Sequence, residues 1–260
     1  MRKQYCSIIV QIALILLVWI LVPILYDFTI DKWYFILPEA IVNDILIIER
    51  EVVIYLICGL LIGFVFIKSY GLSVNLYKNK IEIKKIKLIC AVIIVYSILI
   101  CMSIICGEYN FENLYVVRAI IINVLVIALT EEFSFRRIVI TQLDRAIKNQ
   151  NVTILISAVL FAAVHIVVYC LQFYEWTEIN TNILLLKSIY LLIMGGMLGI
   201  IYIKSKNLIL CIIVHGCQNV LAEFLYIDEI SSIVLYFLGL AFATALVIYS
   251  QIRDEKENKK

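Results

Sequence analysis

The segment Ala119–Leu143 reads AIIINVLVIALTEEFSFRRIVITQL and has the length and apolar composition of a membrane-spanning helix. Glu131 and Glu132 nevertheless lie in its middle, and Arg136 and Arg137 follow on the next turn. A charge near the bilayer centre costs roughly 2.5–3.5 kcal/mol, so these side chains should face a protein-lined or water-filled interior. Because ionisable groups inside a membrane are by default candidates for function, this segment is where a site is expected.

A second interpretation of the segment is that its helix ends at Thr130. The glutamates and arginines would then lie at the cytoplasmic surface, where water solvates them. The segment alone leaves both interpretations open.

The composition of the whole chain predicts a membrane protein. Of its 260 residues 64% are hydrophobic, and the mean hydropathy is +1.03, whereas soluble proteins are about 45–50% apolar. A soluble fold of this size could not bury so much apolar surface. We therefore predict an all-α, polytopic membrane protein with about eight transmembrane helices of roughly 20 residues each. The net charge of +2 gives no reason to expect nucleic acid as a partner.

Basic residues predict the orientation of these helices, because cytoplasmic loops are enriched in lysine and arginine. The loop between the second and third predicted spans, 68–87, is strongly basic, whereas the loops 26–51 and 107–113 are acidic. Most of the 22 lysines and arginines fall on one side if the N-terminus is cytoplasmic. The prediction is a multi-pass protein of the cell membrane with both termini in the cytoplasm.

The predicted spans divide the chain into three parts. Residues 1–113 hold three transmembrane helices with amphipathic connecting loops, and residues 114–226 hold four helices and the candidate site. Residues 227–260 form the last transmembrane helix and a charged cytoplasmic tail. Gly195, Gly196 and Gly199 in the sixth span predict close helix packing.

The two histidines of the chain, His165 and His215, each lie inside a predicted span. Histidine is a preferred acid–base group and metal ligand near neutral pH. Phe161 lies four residues before His165, and Asn219 lies four residues after His215, so each pair shares a helix face. A single histidine in a span is more often a helix–helix hydrogen bonder. Two of them, together with a glutamate pair in a third span, indicate one shared site.

The spacing of the charged pair suggests a division of roles. Glu132 and Arg136 are four residues apart and can pair on one helical face. Arg136 would then hold Glu132 ionised and leave Glu131 free to act as a base. This division is a hypothesis.

Three motifs occur in order along the chain: EExxxR at 131–136, FxxxH at 161–165 and HxxxN at 215–219. Together they resemble the CPBP family, the CAAX prenyl endopeptidases and bacteriocin-processing proteins that are also called the Abi family. The resemblance covers about Leu114 to Asn219. Arg137 departs from the pattern, because the family commonly has a small residue there, but the core motif is intact.

The resemblance implies an intramembrane, glutamate-dependent endopeptidase that acts on a membrane-associated or lipidated peptide or protein in the bilayer. It implies that Glu131, within the Glu131–Glu132 pair, activates a water with help from His165. It also implies that His215 and Asn219 stabilise the oxyanion of the tetrahedral intermediate, and the motifs add Arg136 and Phe161 as supporting residues. This agrees with the chemistry, since amide hydrolysis needs a base for water and donors for the developing negative oxygen.

A divalent metal such as zinc is an alternative to catalysis by glutamate alone. Glu131, His165 and His215 form the ligand set that soluble metalloproteases use. The chain has no HExxH motif, however, and metal-free catalysis is the preferred interpretation.

Two other functions remain open from the sequence. One is a non-catalytic immunity protein that sequesters a peptide toxin, since the family is associated with bacteriocin immunity. The other is a proton-coupled transporter that uses the same charges as a relay. The chain lacks the broken helices in paired halves that mark many transporters, and the intact motif residues favour an enzyme.

Overall fold

The computed structural model describes residues 2–33, 47–70, 83–106, 119–171, 180–224 and 229–257. These residues are almost entirely helical, and they contain no strand. Seven of the helices are labelled in chain order: α1 Arg2–Trp33, α2 Ile47–Tyr70, α3 Ile83–Cys106, α4 Gln150–Leu171, α5 Thr181–Ser205, α6 Leu208–Phe224 and α7 Glu229–Glu257.

The helices confirm an all-α, polytopic membrane protein. Four segments of the described chain are long and apolar enough to cross a membrane: Ser7–Tyr26, Ile86–Ser103, Gln150–Leu171 and Thr181–Ser205. Three shorter apolar helices add to them: Val52–Gly63, Leu208–Ala222 and Phe237–Arg253. The total of eight spans and the cytoplasmic side of the termini stay predictions. The acidic loop 107–113 and the central part of the basic loop, 71–82, lie outside the described residues.

The charged segment forms one continuous composite helix, so the interpretation in which the helix ends at Thr130 is wrong. The composite helix consists of a π-helix, Ile121–Ala128, an α-helical turn, Leu129–Glu132, a second π-helix, Phe133–Ile140, and a final α-helical piece, Thr141–Ile147. The hydroxyl of Thr130 donates to the carbonyl oxygen of Val126 at 2.8 Å. Its polar group is thus satisfied inside the helix. π-Helical turns are rare and are frequent at functional sites, and here they flank the glutamates on both sides.

Contacts divide the chain into two compact units. The first unit comprises residues 1–74 and 134–196, and the second comprises residues 75–133 and 197–260. In the first unit, α1 packs on α2, on α4 and on the final piece of the composite helix. In the second unit, α6 packs on the π-helix Ile121–Ala128, on α3 and on α7. Helix α6 is therefore the centre of the second unit.

Aromatic and glycine contacts tighten the first unit. The ring of Trp19 on α1 meets Tyr55 of α2 edge-on at a centroid distance of 5.3 Å. A Cβ atom at Gly195 would lie 3.1 Å from the Cα atom of Ala158, which confirms the close packing that this glycine predicted. Gly196 differs, because a Cβ there would meet nothing within 4 Å.

Asparagines begin three consecutive helices. The side-chain oxygen of Asn149 accepts from the backbone N–H groups of Asn151 and Val152 at 3.1 and 3.2 Å. Asn180 caps α5 in the same way, and Asn207 caps α6 through the N–H of Leu210 at 3.2 Å. These side chains satisfy backbone donors that a helix leaves without an intrahelical partner.

Loss of such a cap should have a measurable cost. We expect Asn149→Ala to lower the free energy of unfolding by about 1 kcal/mol, because two backbone N–H groups lose their acceptor. Asn149→Asp keeps the acceptor and should stay within a few tenths of a kcal/mol of the wild type. Equilibrium unfolding in detergent measures both, and equal stability of the alanine and aspartate variants would contradict the assignment.

Candidate active site

Two glutamates of the composite helix flank the imidazole ring of His215. The Nδ1 atom of His215 lies 2.9 Å from Oε1 of Glu132, and its Nε2 atom lies 3.5 Å from Oε2 of Glu131. The relative exposures of Glu131 and Glu132 are 2% and 0%, and that of His215 is 2%. Three titratable side chains are thus withdrawn from solvent together, which is costly unless they compensate one another.

The geometry determines where the protons lie. A carboxylate oxygen is an acceptor, so the short contact requires a proton on Nδ1 of His215 when Glu132 is ionised. In a neutral ring the Nε2 atom then carries the lone pair, and that lone pair faces the carboxylate of Glu131. A single proton between Nε2 of His215 and the carboxylate of Glu131 removes the repulsion between these two acceptor groups. Glu131 and His215 can therefore share a proton, while Glu132 orients the ring.

Asn219 extends the same face of α6. It lies one turn after His215 and is half-buried. An amide N–H₂ group supplies two donors. Asn219 can therefore donate to a bound group on the helix face that presents His215.

A close backbone contact holds α6 against the composite helix. At Gly216, an added Cβ atom would lie 2.7 Å from both Cα and Cγ2 of Val124. Real side chains do not tolerate such distances, so only glycine allows the two helices to approach this closely. Gly216 is the neighbour of His215 along the chain, and its contact therefore sets how near the imidazole comes to the two glutamates.

A buried hydrogen bond fixes α6 from its other side. The hydroxyl of Tyr96 on α3 donates to Oε1 of Gln218 at 2.6 Å, and both side chains are buried. Gln218 lies immediately before Asn219. The bond therefore ties α3 to the turn of α6 that carries the candidate site residues.

The remaining predicted residues form a second cluster, in the first unit. Phe161 lies at its centre, with the ring of His165 at 4.3 Å and the guanidinium of Arg136 at 5.3 Å from its centroid. Arg136 is completely buried, and its Nη1 atom lies 3.4 Å from the hydroxyl oxygen of Ser157. Burial and the aromatic face together favour a structural cation–π contact here.

His165 has a defined tautomer in this cluster. Its Nδ1 atom lies 2.8 Å from the carbonyl oxygen of Phe161, one turn earlier on α4. A carbonyl can only accept, so Nδ1 carries the proton. In the neutral ring, Nε2 is then the nitrogen with the lone pair and can act as a base or acceptor.

The structure thus brings together Glu131, Glu132 and His215, with Asn219 on the same helix. It places Phe161 in contact with both Arg136 and His165. The sequence interpretation missed three residues that position α6: Tyr96, Gly216 and Gln218. Signals for two of them were present, since Gly216 and Gln218 lie inside the HxxxN motif within an otherwise apolar helix.

A metal ion does not fit the second-unit cluster as it stands. Among the described residues, no group of three or more histidine, cysteine, aspartate or glutamate side chains has the arrangement of a metal site. Both ring nitrogens of His215 already face carboxylates. A metal ion would have to displace one of these contacts.

The cluster suits general acid–base chemistry at a carbonyl group. A buried carboxylate can accept a proton from water, and the N–H of a protonated imidazole can stabilise a negative oxygen. Asn219 adds a second type of donor on the same helix face. These are the components that hydrolysis of an amide bond requires.

No curated protein and no solved structure matches the chain. A family model does match, over a region that includes all three sequence motifs and most of α6, and this confirms the resemblance to the CAAX prenyl endopeptidases. At the level of the family, the match indicates a protease of the CAAX type in a multi-pass membrane protein. The family model that matches, over residues 113–221, is described as type II CAAX prenyl endopeptidase Rce1-like.

Proposed function

We propose that the protein is an intramembrane endopeptidase in which Glu131 is the general base and His215 and Asn219 form the oxyanion site. The observation that carries this proposal is the buried imidazole of His215 between the carboxylates of Glu131 and Glu132. Few structural roles need three titratable groups in contact inside an apolar helix bundle. Buried clusters of titratable side chains inside a membrane protein are candidates for functional sites.

The proposed reaction begins with a water molecule beside Glu131. The carboxylate of Glu131 takes a proton from the water as its oxygen adds to the scissile carbonyl carbon. The carbonyl oxygen becomes an oxyanion, which accepts hydrogen bonds from Nε2–H of His215 and from the amide of Asn219. The protonated Glu131 then gives its proton to the leaving nitrogen as the C–N bond breaks. The products are a carboxylic acid and an amine, and no other reactant is consumed.

Glu132 has a different role in this proposal. Its carboxylate accepts the Nδ1–H of His215 and stabilises the ring when Nε2 is also protonated. A carboxylate behind an imidazole fixes both its tautomer and its orientation. Glu132 is therefore a positioning residue that acts through His215.

Replacement of Glu132 by glutamine tests this role. We expect Glu132→Gln to lower kcat by about 100-fold with KM little changed, because the amide oxygen can still accept the Nδ1–H but cannot stabilise the imidazolium. Asp144→Asn removes a charge from the same composite helix and serves as the matched control. Equal kcat for Glu132→Gln and the wild type would contradict the role of Glu132.

The proposed role of His165 rests on its sequence motif, and the proposed substrate class rests on the family. The FxxxH motif supports His165 as a second group for the attacking water. The family supports a membrane-associated or lipidated peptide or protein as the substrate. A bilayer-embedded site reaches such a substrate without removing it from the membrane.

The direct test is cleavage of membrane-anchored fluorogenic peptides by the purified protein in detergent. The peptide set should include prenylated, acylated and unmodified members of the same sequence, and each should be measured with and without a chelator. We expect cleavage by the wild type, no effect of the chelator, and loss of cleavage in Glu131→Gln at unchanged thermal stability. Cleavage should also be lost in His215→Ala, partly through lower stability, because Glu132 loses its 2.9 Å partner. Full cleavage by both variants would overturn the proposed site, and a chelator that abolishes cleavage would overturn the metal-free mechanism.

A further inference from the structure

A cavity of about 390 Å³ lies within the first unit. This volume is within the range of ligand pockets, roughly 300–1,000 Å³, which are mostly apolar with a few polar groups. Its walls come from α1, α2, α4 and α5 and are largely aliphatic and aromatic. The lining includes Trp19, Tyr55, Val164, His165, Lys187 and Tyr190.

Lys187 places a positive charge at this cavity, on an exposed face of the apolar helix α5. It lies six residues after the first residue of α5, or about 9 Å along the helix axis. Its neighbours Leu185 and Leu186 are 60% and 59% exposed, and Lys187 is exposed as well. In a membrane-spanning helix such a face is turned toward hydrocarbon, where a lysine is costly unless its ammonium reaches the interface or an anion.

An aromatic ring contacts the ammonium group of Lys187 and holds it in position. Its Nζ atom lies 3.9 Å from the ring centroid of Tyr169 on α4, which is a cation–π contact. Within the described parts of the chain, no carboxylate pairs with Lys187. The contact with Tyr169 holds the cation beside the cavity without neutralising it, and a bound anion can pair with it there.

Trp19 supplies an independent polar signal in the same cavity. It is only 5% exposed, and its indole N–H has no hydrogen-bond acceptor among the residues that the structure describes. A buried donor without an acceptor is unfavourable, and a ligand oxygen would relieve it. The cavity thus offers one cation, one unsatisfied donor and apolar walls.

We propose that this cavity binds an anionic phospholipid, with the phosphate at Lys187 and a hydrocarbon chain along the apolar walls. A phosphate provides the negative charge for the ammonium and oxygens that can accept from Trp19. A soluble anion would leave the apolar walls unfilled, whereas a lipid chain fills them. A fatty acid has the same chemistry, with a carboxylate in place of the phosphate, and is distinguished by the experiment below.

The test uses Trp19 as the reporter. The chain has three tryptophans, and the Trp33→Phe/Trp176→Phe variant leaves Trp19 as the only one. The full-length variant is reconstituted with brominated phosphatidylglycerol or with brominated phosphatidylcholine at equal mole fractions. We expect the anionic lipid to quench Trp19 with an apparent affinity about fivefold to tenfold higher than that of the zwitterionic lipid.

Two further variants distinguish the effect of the charge of Lys187 from the effect of any other positive charge on α5. Lys187→Gln should bring the ratio of the two apparent affinities to about one, because the charge that distinguishes the lipids is lost. Lys204→Gln removes an exposed lysine at the other end of α5 and should leave the ratio unchanged. Equal quenching by the two lipids in the reporter variant, or an unchanged ratio in Lys187→Gln, would overturn the proposal.

A brominated fatty acid in phosphatidylcholine distinguishes the two sources of the anion. Quenching that depends on Lys187 and exceeds that of phosphatidylglycerol would support the cavity and identify a carboxylate as its ligand. If the reporter variant does not fold, native mass spectrometry of the wild type and Lys187→Gln compares retention of the two phospholipids directly. Lipid binding is measured without substrate turnover, so a failure of this proposal can be distinguished from a failure of the proposed protease function.

Discussion

Glu131→Gln is expected to lower kcat by about 10²- to 10⁴-fold, because the glutamine amide cannot take a proton from water. The change keeps the size and the polarity of the side chain. The amide can still contact Nε2 of His215, which lies 3.5 Å from the carboxylate in the wild type. KM should therefore change little, and the loss should appear in kcat. The measurement is the initial rate of cleavage of the best peptide in the membrane-anchored set.

Stability separates a catalytic role for Glu131 from a structural one. We expect Glu131→Gln to unfold at the temperature of the wild type, because the buried site loses a charge but no packing volume. Glu131→Ala should also abolish activity, whereas Glu132→Ala should lose activity partly through lower stability, since His215 loses its 2.9 Å partner. Equal stability with equal loss of activity in the two alanine variants would contradict this division of roles.

The charge argument from the sequence correctly predicted a buried environment for the two glutamates. Four charges in an apolar segment predicted a protein-lined environment, and the structure buries Glu131 and Glu132 against His215. Their contact joins residues 83 positions apart. Hydropathy along the chain cannot reveal such a partner, and for that reason the segment alone also allowed a helix that ends at Thr130.

Helix geometry limits what residue spacing can predict in the composite helix. The four-residue rule that suggested a pair between Glu132 and Arg136 holds for α-helices. The segment Phe133–Ile140 is a π-helix, in which backbone bonds join residues five apart, so the faces of the helix follow a different period. The contacts described for Arg136 are with Ser157 and Phe161, and its pairing with Glu132 stays a prediction.

The distances between packed helices could not be predicted from the sequence either. The glycines at 195, 196 and 199 predicted close helix contacts, and Gly195 makes one, but Gly196 faces open space. Gly216 has a shorter contact than Gly195, and it stands alone between His215 and Cys217 in a different helix. A small-residue pattern shows that close approach is possible, whereas only the neighbouring helix determines which glycine is needed.

Gly216→Ala should be among the most damaging single-atom additions in the chain. Its Cβ would lie 2.7 Å from the Cα atom of Val124, which belongs to the backbone and cannot rotate away. We expect the free energy of unfolding to fall by about 3 kcal/mol, since overpacking in a rigid core costs more than alanine gains in helix propensity. Activity should fall with it, because α6 must move away from the composite helix and carries His215 from its two glutamates.

The same distances define a control variant and a suppressor variant for Gly216→Ala. Gly196→Ala adds the same atom where nothing lies within 4 Å, and it should raise stability by about 0.5–1 kcal/mol, as expected for alanine in a helix. Val124→Ala removes the Cγ2 atom that also lies 2.7 Å from the added Cβ but leaves the backbone contact in place. The double variant Gly216→Ala/Val124→Ala should therefore recover only part of the lost stability and activity. Full recovery would show that the clash is with the valine side chain. Unchanged stability and activity in Gly216→Ala would show that the distance between α6 and the composite helix does not control the position of His215.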